Sequence, residues 1–192
     1  EIHERLVGSE MCIRDRNDTE PYGSFGNGSA MRVSPVAWFA GSLDECEKLA
    51  AATAEVTHDH PEGIKGAVVV AGAIYLARTG RSMAEIREYT ERFYPIDFTL
   101  DEIRPDYDFV ETCQGSVPQA LEAFFESTGF EDAIRNAVSI GGDSDTIADM
   151  AGAIAEAYYG ADPEMKSIAL SYLDQDLLDI AEEFERRIIL KA

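Results

Sequence analysis

The chain has 192 residues, of which 45% are hydrophobic, so it is long enough for one domain with a substantial core. It contains no apolar run of about 18 residues, the length that a membrane-spanning helix requires. The formal net charge of −21 argues against the basic surface that nucleic-acid binding needs and against binding to anionic lipids, so we expect neither partner.

The three cysteines, Cys12, Cys46 and Cys113, bear on the compartment. They are odd in number and far apart, and their spacing matches neither a zinc site nor a disulfide framework. A reducing cytoplasm is therefore the expected location.

Residues 1–16 show no helical or strand periodicity. The run Ser-Glu-Met-Cys-Ile-Arg-Asp within them resembles translated adapter sequence, so we expect residues 1–16 to be a leader foreign to the natural protein. His3 and Cys12 are therefore given no functional role.

A glycine-rich segment extends from Tyr22 to Pro35. Its first eight residues contain three glycines, an asparagine and two serines, so the backbone can approach a ligand closely. Residues Ser29–Arg32 are predicted to open a helix whose free N–H groups point at an anion. The alternative is an ordinary glycine-rich turn, which composition alone favours. The spacing matches neither a Walker A loop nor a dinucleotide-binding fingerprint.

Ser42 and Glu45 have the spacing of a capping box and predict a helix that ends near Thr57. His58 and His60 follow, and Pro61 places both at a helix boundary. Two histidines at this spacing could coordinate a metal ion. In the commoner arrangement, one forms a hydrogen bond or caps a helix while the other is exposed.

The middle of the chain also predicts helices. Residues Gly63–Arg78 are strongly apolar and too long for a typical strand, which indicates a buried helix. Ser82 and Glu85 form a second capping-box pattern, and residues 95–110 read as a loop. Residues 113–118 read as a turn that leads into a helix with Pro118 in its first turn.

The C-terminal part continues the pattern. Helices are predicted over Glu131–Ser139, from the segment Gly141–Thr146 to about Tyr159, from Pro163, and along the tail Ser171–Leu190. No strand is needed anywhere, so the predicted fold class is all-α.

The segment Gly141–Thr146 lies between two of these helices. Its two glycines allow a sharp turn, and Asp143, Asp145 and Thr146 place two carboxylates and a hydroxyl at the start of the next helix. Such oxygen donors suit a hard divalent cation, Mg²⁺ or Mn²⁺. The alternative is that the aspartates only cap the helix and interact with its dipole.

Three loops together resemble the motifs of the ADP-ribosylglycohydrolase family: Gly26–Arg32 ahead of Pro35, Thr57-His58 ahead of His60-Pro61, and Gly141–Thr146. Gln114–Pro118 and the alanine- and glycine-rich helix that ends at Gly160 resemble its C-terminal region. The likeness covers roughly residues 21–190, so residues 17–192 are expected to form a single domain of this type.

The resemblance implies an all-α orthogonal helical bundle that binds two Mg²⁺ or Mn²⁺ ions. It also implies hydrolysis of the glycosidic bond between ADP-ribose and an acceptor, either a modified protein side chain or a small ADP-ribose conjugate. By the same resemblance Asp143, Asp145 and Thr146 would be metal ligands, and the two aspartates would be catalytic. His58 would form a hydrogen bond to the substrate, and Phe25 would stack on a ring. The loop whose backbone amides would hold the ribose and pyrophosphate comprises Ser24, Phe25, Gly26, Asn27, Gly28 and Ser29.

The chain departs from the family in one respect. The family's N-terminal Thr-Asp-Asp motif, which supplies its other metal ligands, is absent from the sequence, as is the Gly-Asp-Ala-x-Gly segment before it. We therefore expect a truncated product with about half of the metal site and weak ion binding. Two other functions stay open: a non-catalytic ADP-ribose-binding or regulatory module, and a helical protein whose aspartates only cap a helix.

Overall fold

The computed structural model describes residues 21–189, so the leader expected at residues 1–16 lies outside the described part of the chain. Eleven helices occur within residues 21–189: α1 (Gly28–Met31), α2 (Ser34–Phe39), α3 (Leu43–Glu55), α4 (Pro61–Arg78), α5 (Met83–Glu91), α6 (Leu100–Ile103), α7 (Cys113–Phe125), α8 (Phe130–Ser139), α9 (Ser144–Tyr159), α10 (Pro163–Leu170) and α11 (Gln175–Ile189). In this range the β pairing consists of one isolated antiparallel bridge, between Gly26 and Thr112. The predicted all-α class is confirmed.

Helix α4 lies at the centre of the bundle, in contact with α1, α2, α3, α5, α7 and α9. It is apolar on all sides, and a helix of that kind is stable only when it is buried. Val69, Val70 and Ile74 are accordingly enclosed. Helix α9 contacts α1, α4, α7 and α8, so the segment that begins it is held against the core. Within residues 21–189, no helix is long and apolar enough to cross a membrane.

Several helix starts follow the predicted capping chemistry. Ser82 and Glu85 form the complete capping box of α5. His60 caps α4, with Pro61 at its first position, and Asp162 caps α10. The capping box expected at Ser42 is only half present, because the Glu45 carboxylate accepts from the Gly41 N–H instead of from Ser42.

Two segments predicted to be irregular contain helices. The turn expected at residues 113–118 is the first part of α7, and Pro118 lies inside that helix. Pro118 and its neighbour Val117 are buried in the core, and this packing outweighs the missing proline N–H. The expected loop at residues 95–110 contains α6, whose start is a capping box formed by Thr99 and Glu102.

The predicted C-terminal helix is also present, as α11. The Phe184 ring packs edge-on against Phe39 of α2, with 5.3 Å between the ring centroids. Leu177 and Ile180 on the same helix are exposed. Only part of the apolar stripe of α11 is therefore covered by residues 21–189.

Candidate functional site

The turn between α8 and α9 is made by two glycines in the left-handed region, Gly141 at φ +74° and Gly142 at φ +64°. Gly142 is also tightly packed, because a Cβ atom there would lie 2.5 Å from Cε1 of Tyr107 and 2.9 Å from the carbonyl oxygen of Asp108. The turn places Asp143 directly before α9. Position 142 therefore requires glycine, both for its left-handed backbone conformation and because a side chain would collide with Tyr107 and Asp108.

Asp143 occupies the N-cap position, yet its side chain makes no capping hydrogen bond. Its Oδ2 instead accepts from Nδ2 of Asn27 at 2.6 Å, across 116 positions of sequence. Both side chains are buried, Asp143 with 8% and Asn27 with 7% of their surface exposed. The explanation that Asp143 merely caps a helix is therefore wrong for this residue.

The surroundings of Asp143 alter its acidity. Burial raises the pKa of this carboxyl above its ordinary range, the hydrogen bond from Asn27 opposes that rise, and the neighbouring Asp145 adds to it. The two carboxylates are therefore close enough to interact. Asp145 itself is exposed, and its Oδ1 accepts from the Thr146 N–H at 3.0 Å. Thr146 is buried, with its hydroxyl 3.8 Å from the Met31 sulfur.

The glycine-rich loop is fastened to the core through its backbone. The Asn27 N–H donates to the Glu111 carbonyl at 2.8 Å, and the Cys113 N–H donates to the Phe25 carbonyl at 3.0 Å. The Gly26 N–H donates to Oγ of Ser24 at 3.2 Å. The amides of Gly26 and Asn27 are thus used within the protein and do not face a ligand, contrary to the expectation for these two positions of the loop.

The loop also packs closely on the start of α4. A Cβ atom on Gly63 would lie 2.6 Å from the Ser24 carbonyl oxygen, so only glycine allows this approach. The Ser29 hydroxyl donates to the Gly63 carbonyl at 2.7 Å, and Ser29 is 1% exposed. That hydroxyl therefore joins α1 to α4 and is enclosed.

His58 lies against the same loop and is 8% exposed. An ideal Cβ position on Gly28 falls 3.4 Å from its Nε2 and, among residues 21–189, has no other residue within 4 Å, so the absent side chain leaves space beside that nitrogen. The corresponding position on Gly26 lies 3.6 Å from Nε2, but Oγ of Ser24 and the Glu111 carbonyl oxygen are nearer to it. On the other side of the ring, Nδ1 lies 2.6 Å from the hydroxyl oxygen of Thr57. His60 is exposed, and its Nδ1 accepts the hydrogen bond from the Glu62 N–H that caps α4. The two histidines therefore do not point at a shared metal position.

The acidity of His58 predicts a pH effect on stability. Burial, assisted by the charge of Arg32, lowers the pKa of His58 below 6.5. Between the lowered value and 6.5 the unfolded chain binds more protons than the folded one, so this group lowers stability as the pH falls below about 6.5. In urea titrations at pH 7.5 and 5.5, His58→Gln should lose less unfolding free energy over this interval than the unchanged protein. An equal loss in both proteins would contradict the assignment.

Aromatic side chains flank the site. Phe25 is 46% exposed, with its ring edge-on to His60 at 5.3 Å, and it is available to stack on a ligand ring. Tyr107, which the sequence analysis did not single out, packs beside Gly142 and donates its hydroxyl to the Gly115 carbonyl at 2.8 Å. Burial and the charge of Asp143 raise the pKa of Tyr107 to about 12. Tyr107 lies 36 residues from Asp143 in sequence, so no local pattern pointed to it.

The oxygen donors at the start of α9 are of the type that a hard cation prefers, but they are too few to enclose one. Asp143, Asp145 and Thr146 offer two carboxylates and a hydroxyl, the oxygen donors that Mg²⁺ and Mn²⁺ prefer. Nowhere in residues 21–189, however, do three or more histidine, cysteine, aspartate or glutamate side chains gather to hold a metal ion. These residues would form one side of a metal site.

Cavity volume does not identify this site. A groove of about 840 Å³ lies between α8 and α10, lined by apolar residues that include Ile134, Val138 and Leu170. None of the polar residues described above lines it. The evidence for the site is the convergence of the glycine-rich loop, the Thr57-His58 turn and the start of α9.

The three segments that meet here are the three motifs that resemble one family in sequence. A family model described as ADP-ribosylglycohydrolase matches residues 4–190. The chain belongs to the ADP-ribosylglycohydrolase family. The family assignment agrees with the structure, because its three motif loops, far apart in sequence, meet at one place.

Individual relatives support the assignment. ADP-ribosylhydrolase ARH3 of Homo sapiens is 30% identical over an alignment of 217 positions that covers 88% of this chain and 60% of that protein. ADP-ribosyl-[dinitrogen reductase] glycohydrolase of Rhodospirillum rubrum is 29% identical over 188 residues, 94% of this chain and 61% of that protein. A solved structure titled ADP-ribosylglycohydrolase-related protein complex superposes with a TM-score of 0.65 at 27% identity, over 88% of this chain and 60% of that one. The chain thus spans about 60% of the length of these relatives.

Proposed function

We propose that this protein hydrolyses the glycosidic bond between ADP-ribose and an acceptor, either a modified protein side chain or a small ADP-ribose conjugate. The observation that carries the proposal is the buried Asn27–Asp143 contact, which joins the glycine-rich loop to the carboxylates at the start of α9. Membership of the ADP-ribosylglycohydrolase family supports the reaction class. Two relatives are named as hydrolases of ADP-ribose linkages.

Hydrolysis of a glycosidic bond requires groups of the types that meet at this site. Cleavage at the ribose C1″ carbon develops positive charge there and needs a water nucleophile. Asp143 and Asp145 would stabilise that charge, and the buried position of Asp143 strengthens its electrostatic effect. His58 and the amides of the glycine-rich loop other than those of Gly26 and Asn27 would hold the diphosphate, and the exposed Phe25 ring would stack on a base.

We further propose that Asp143, Asp145 and Thr146 bind Mg²⁺ or Mn²⁺. A bound divalent cation would orient the ribose hydroxyls and lower the pKa of the attacking water. It would also offset the repulsion between a diphosphate and a chain with a net charge of −21. Because residues 21–189 supply one side of the site, we expect weak binding. Isothermal titration that found two tightly bound Mn²⁺ ions per chain would contradict this expectation.

The proposed reaction is tested by release of free ADP-ribose from ADP-ribosylated arginine and ADP-ribosylated serine peptides. Release should require Mn²⁺ or Mg²⁺ and should stop when EDTA is added in excess. Release that continues unchanged in EDTA would contradict the metal proposal and leave the hydrolase proposal standing. Absence of release from either peptide and from a small ADP-ribose conjugate, with either metal, would contradict the hydrolase proposal.

The second candidate is a non-catalytic module that binds ADP-ribose. The shortage of metal-ligating side chains within residues 21–189 favours it. It predicts that ADP-ribose binds and is not released from any conjugate. Asn27→Ala should then weaken ADP-ribose binding, measured by calorimetry, because it removes the partner of Asp143 and frees the loop from α9. Binding that Asn27→Ala leaves unchanged would place ADP-ribose elsewhere.

A further inference from the structure

A chain of three side chains runs from the surface to His58. The guanidinium of Arg32 donates from Nη2 to the Thr57 hydroxyl oxygen at 2.8 Å and to the Thr53 carbonyl at 3.0 Å. The Thr57 hydroxyl oxygen in turn lies 2.6 Å from Nδ1 of His58. Arg32 follows the glycine-rich loop and Thr57 follows α3, so two separate elements meet behind the imidazole.

The direction of these hydrogen bonds follows from the groups themselves. A guanidinium only donates, so the Thr57 oxygen accepts from Arg32. Within residues 21–189 the Thr57 hydroxyl has one other hydrogen-bonding neighbour, Nδ1 of His58. The arrangement that uses its single hydrogen therefore directs that hydrogen at Nδ1, where it also gains from polarisation by the arginine charge. An Nδ1 that accepts a hydrogen bond carries no proton, so the neutral imidazole carries its hydrogen on Nε2.

We propose that Arg32 and Thr57 are positioning residues that hold His58 in the neutral Nε2–H form, as a hydrogen-bond donor to an anionic oxygen of the substrate. The space beside Gly28 is where that oxygen would lie, because Gly28 has no side chain to occupy it and, among residues 21–189, only the His58 ring lies within 4 Å of its Cβ position. The substrate half of this inference rests on the proposed function. His58 in this arrangement is a donor and does not act as a general base, because the nitrogen facing the loop is already protonated.

The fixed positive charge of Arg32 suits the same role. It opposes protonation of His58, and burial acts in the same direction. A neutral donor keeps the same hydrogen-bonding pattern from pH 7 upward, whereas an imidazole titrating near pH 7 would change its pattern within the physiological range. The site would therefore bind an anionic oxygen through a directed N–H.

The test reads the tautomer directly, by two-bond ¹⁵N–¹H correlation spectra of the ¹⁵N-histidine-labelled protein at pH 7.5. His58→Gln identifies the His58 signals. The unchanged protein and Thr57→Ser, which keeps the hydroxyl, should both show the Nε2–H form. Thr57→Val, which has nearly the same shape and no hydroxyl, should populate the Nδ1–H form, and Arg32→Met should raise the pKa of His58. An Nδ1–H signal in the unchanged protein, or a tautomer that Thr57→Val does not alter, would overturn the proposal.

A binding measurement separates this inference from the proposed function. The dissociation constant for ADP-ribose should rise roughly 10-fold in Thr57→Val, as expected for weakening a hydrogen bond to a charged group, and should be restored in Thr57→Ser. If the spectra show the hydroxyl-dependent Nε2–H form while the unchanged protein binds no ADP-ribose, the positioning role is supported and the proposed substrate is wrong. If ADP-ribose binds equally to all three proteins, the donor role of His58 is overturned.

Discussion

Replacing Asp145 by asparagine is expected to lower ADP-ribose release by roughly 100-fold or more, an effect of the size seen when one charge-stabilising group is removed. The free energy of unfolding should change by no more than about 0.5 kcal/mol, as for most exposed positions. Asp145 is exposed, and an asparagine can still accept the hydrogen bond from the Thr146 N–H. Only the negative charge is lost, and in the proposed function that charge would act on a cation or on the developing positive charge of the ribose.

Asp143→Asn should lower ADP-ribose release by a similar factor, while the free energy of unfolding stays equal or rises. Burial raises the pKa of Asp143, so the folded protein disfavours its charged form relative to the unfolded chain. At pH 7 the neutral amide removes that penalty, and its oxygen can still accept from Nδ2 of Asn27. Lower activity with unchanged or higher stability is the behaviour of a residue retained for function at the expense of the fold.

The matched control for the activity of both variants is Asp149→Asn. Asp149 is exposed on the same helix, α9, one turn after Asp145, and it takes no part in the contacts that define the site. Release by Asp149→Asn should match that of the unchanged protein, with initial rates and urea unfolding midpoints measured for all four proteins. Full activity in both Asp143→Asn and Asp145→Asn would show that the reaction takes place elsewhere.

The features that could be predicted from sequence are those decided within a few residues. The capping box of Ser82 and Glu85 and the Asp162-Pro163 start of α10 each depend on groups at most three positions apart. The burial of α4 is equally local, since a helix that is apolar on every side has no face to present to water. Thr99 and Glu102 have the same capping-box spacing, although the prolines and acids of residues 95–110 are typical of a loop.

The features that could not be predicted depend on distant partners. Asp143 has the sequence context of a helix cap, and only the arrival of Asn27, 116 positions away, shows where its carboxylate goes. Pro118 looks like a helix start, yet burial of the residues before it extends α7 back to Cys113. The family resemblance identified the three loops that meet at the site, while side-chain contacts such as the hydrogen bond from Arg32 to Thr57 are seen only in the structure.

Gly142→Ala is expected to destabilise the protein by about 2–4 kcal/mol, the sum of left-handed backbone strain and overpacking. Alanine at φ +64° would be strained in any surroundings, and its Cβ would meet the Tyr107 ring at 2.5 Å and the Asp108 carbonyl oxygen at 2.9 Å. Relief of that contact requires the turn to move, which carries Asp143 away from Asn27. Thermal unfolding should show the lost stability, and ADP-ribose release should fall in the same variant.

Gly141→Ala separates the two causes. Gly141 has a similar φ of +74°, but nothing lies within 4 Å of its Cβ position, so alanine there adds strain without contact and should be destabilising by about 1–2 kcal/mol. The difference between the two variants then measures the packing of residues 107 and 108 against the turn. In a Tyr107→Leu background that difference should shrink, because the ring is the nearer of the two obstacles. Equal destabilisation by the two alanines would mean that the turn is held by its own conformation, and that Tyr107 does not help to place Asp143.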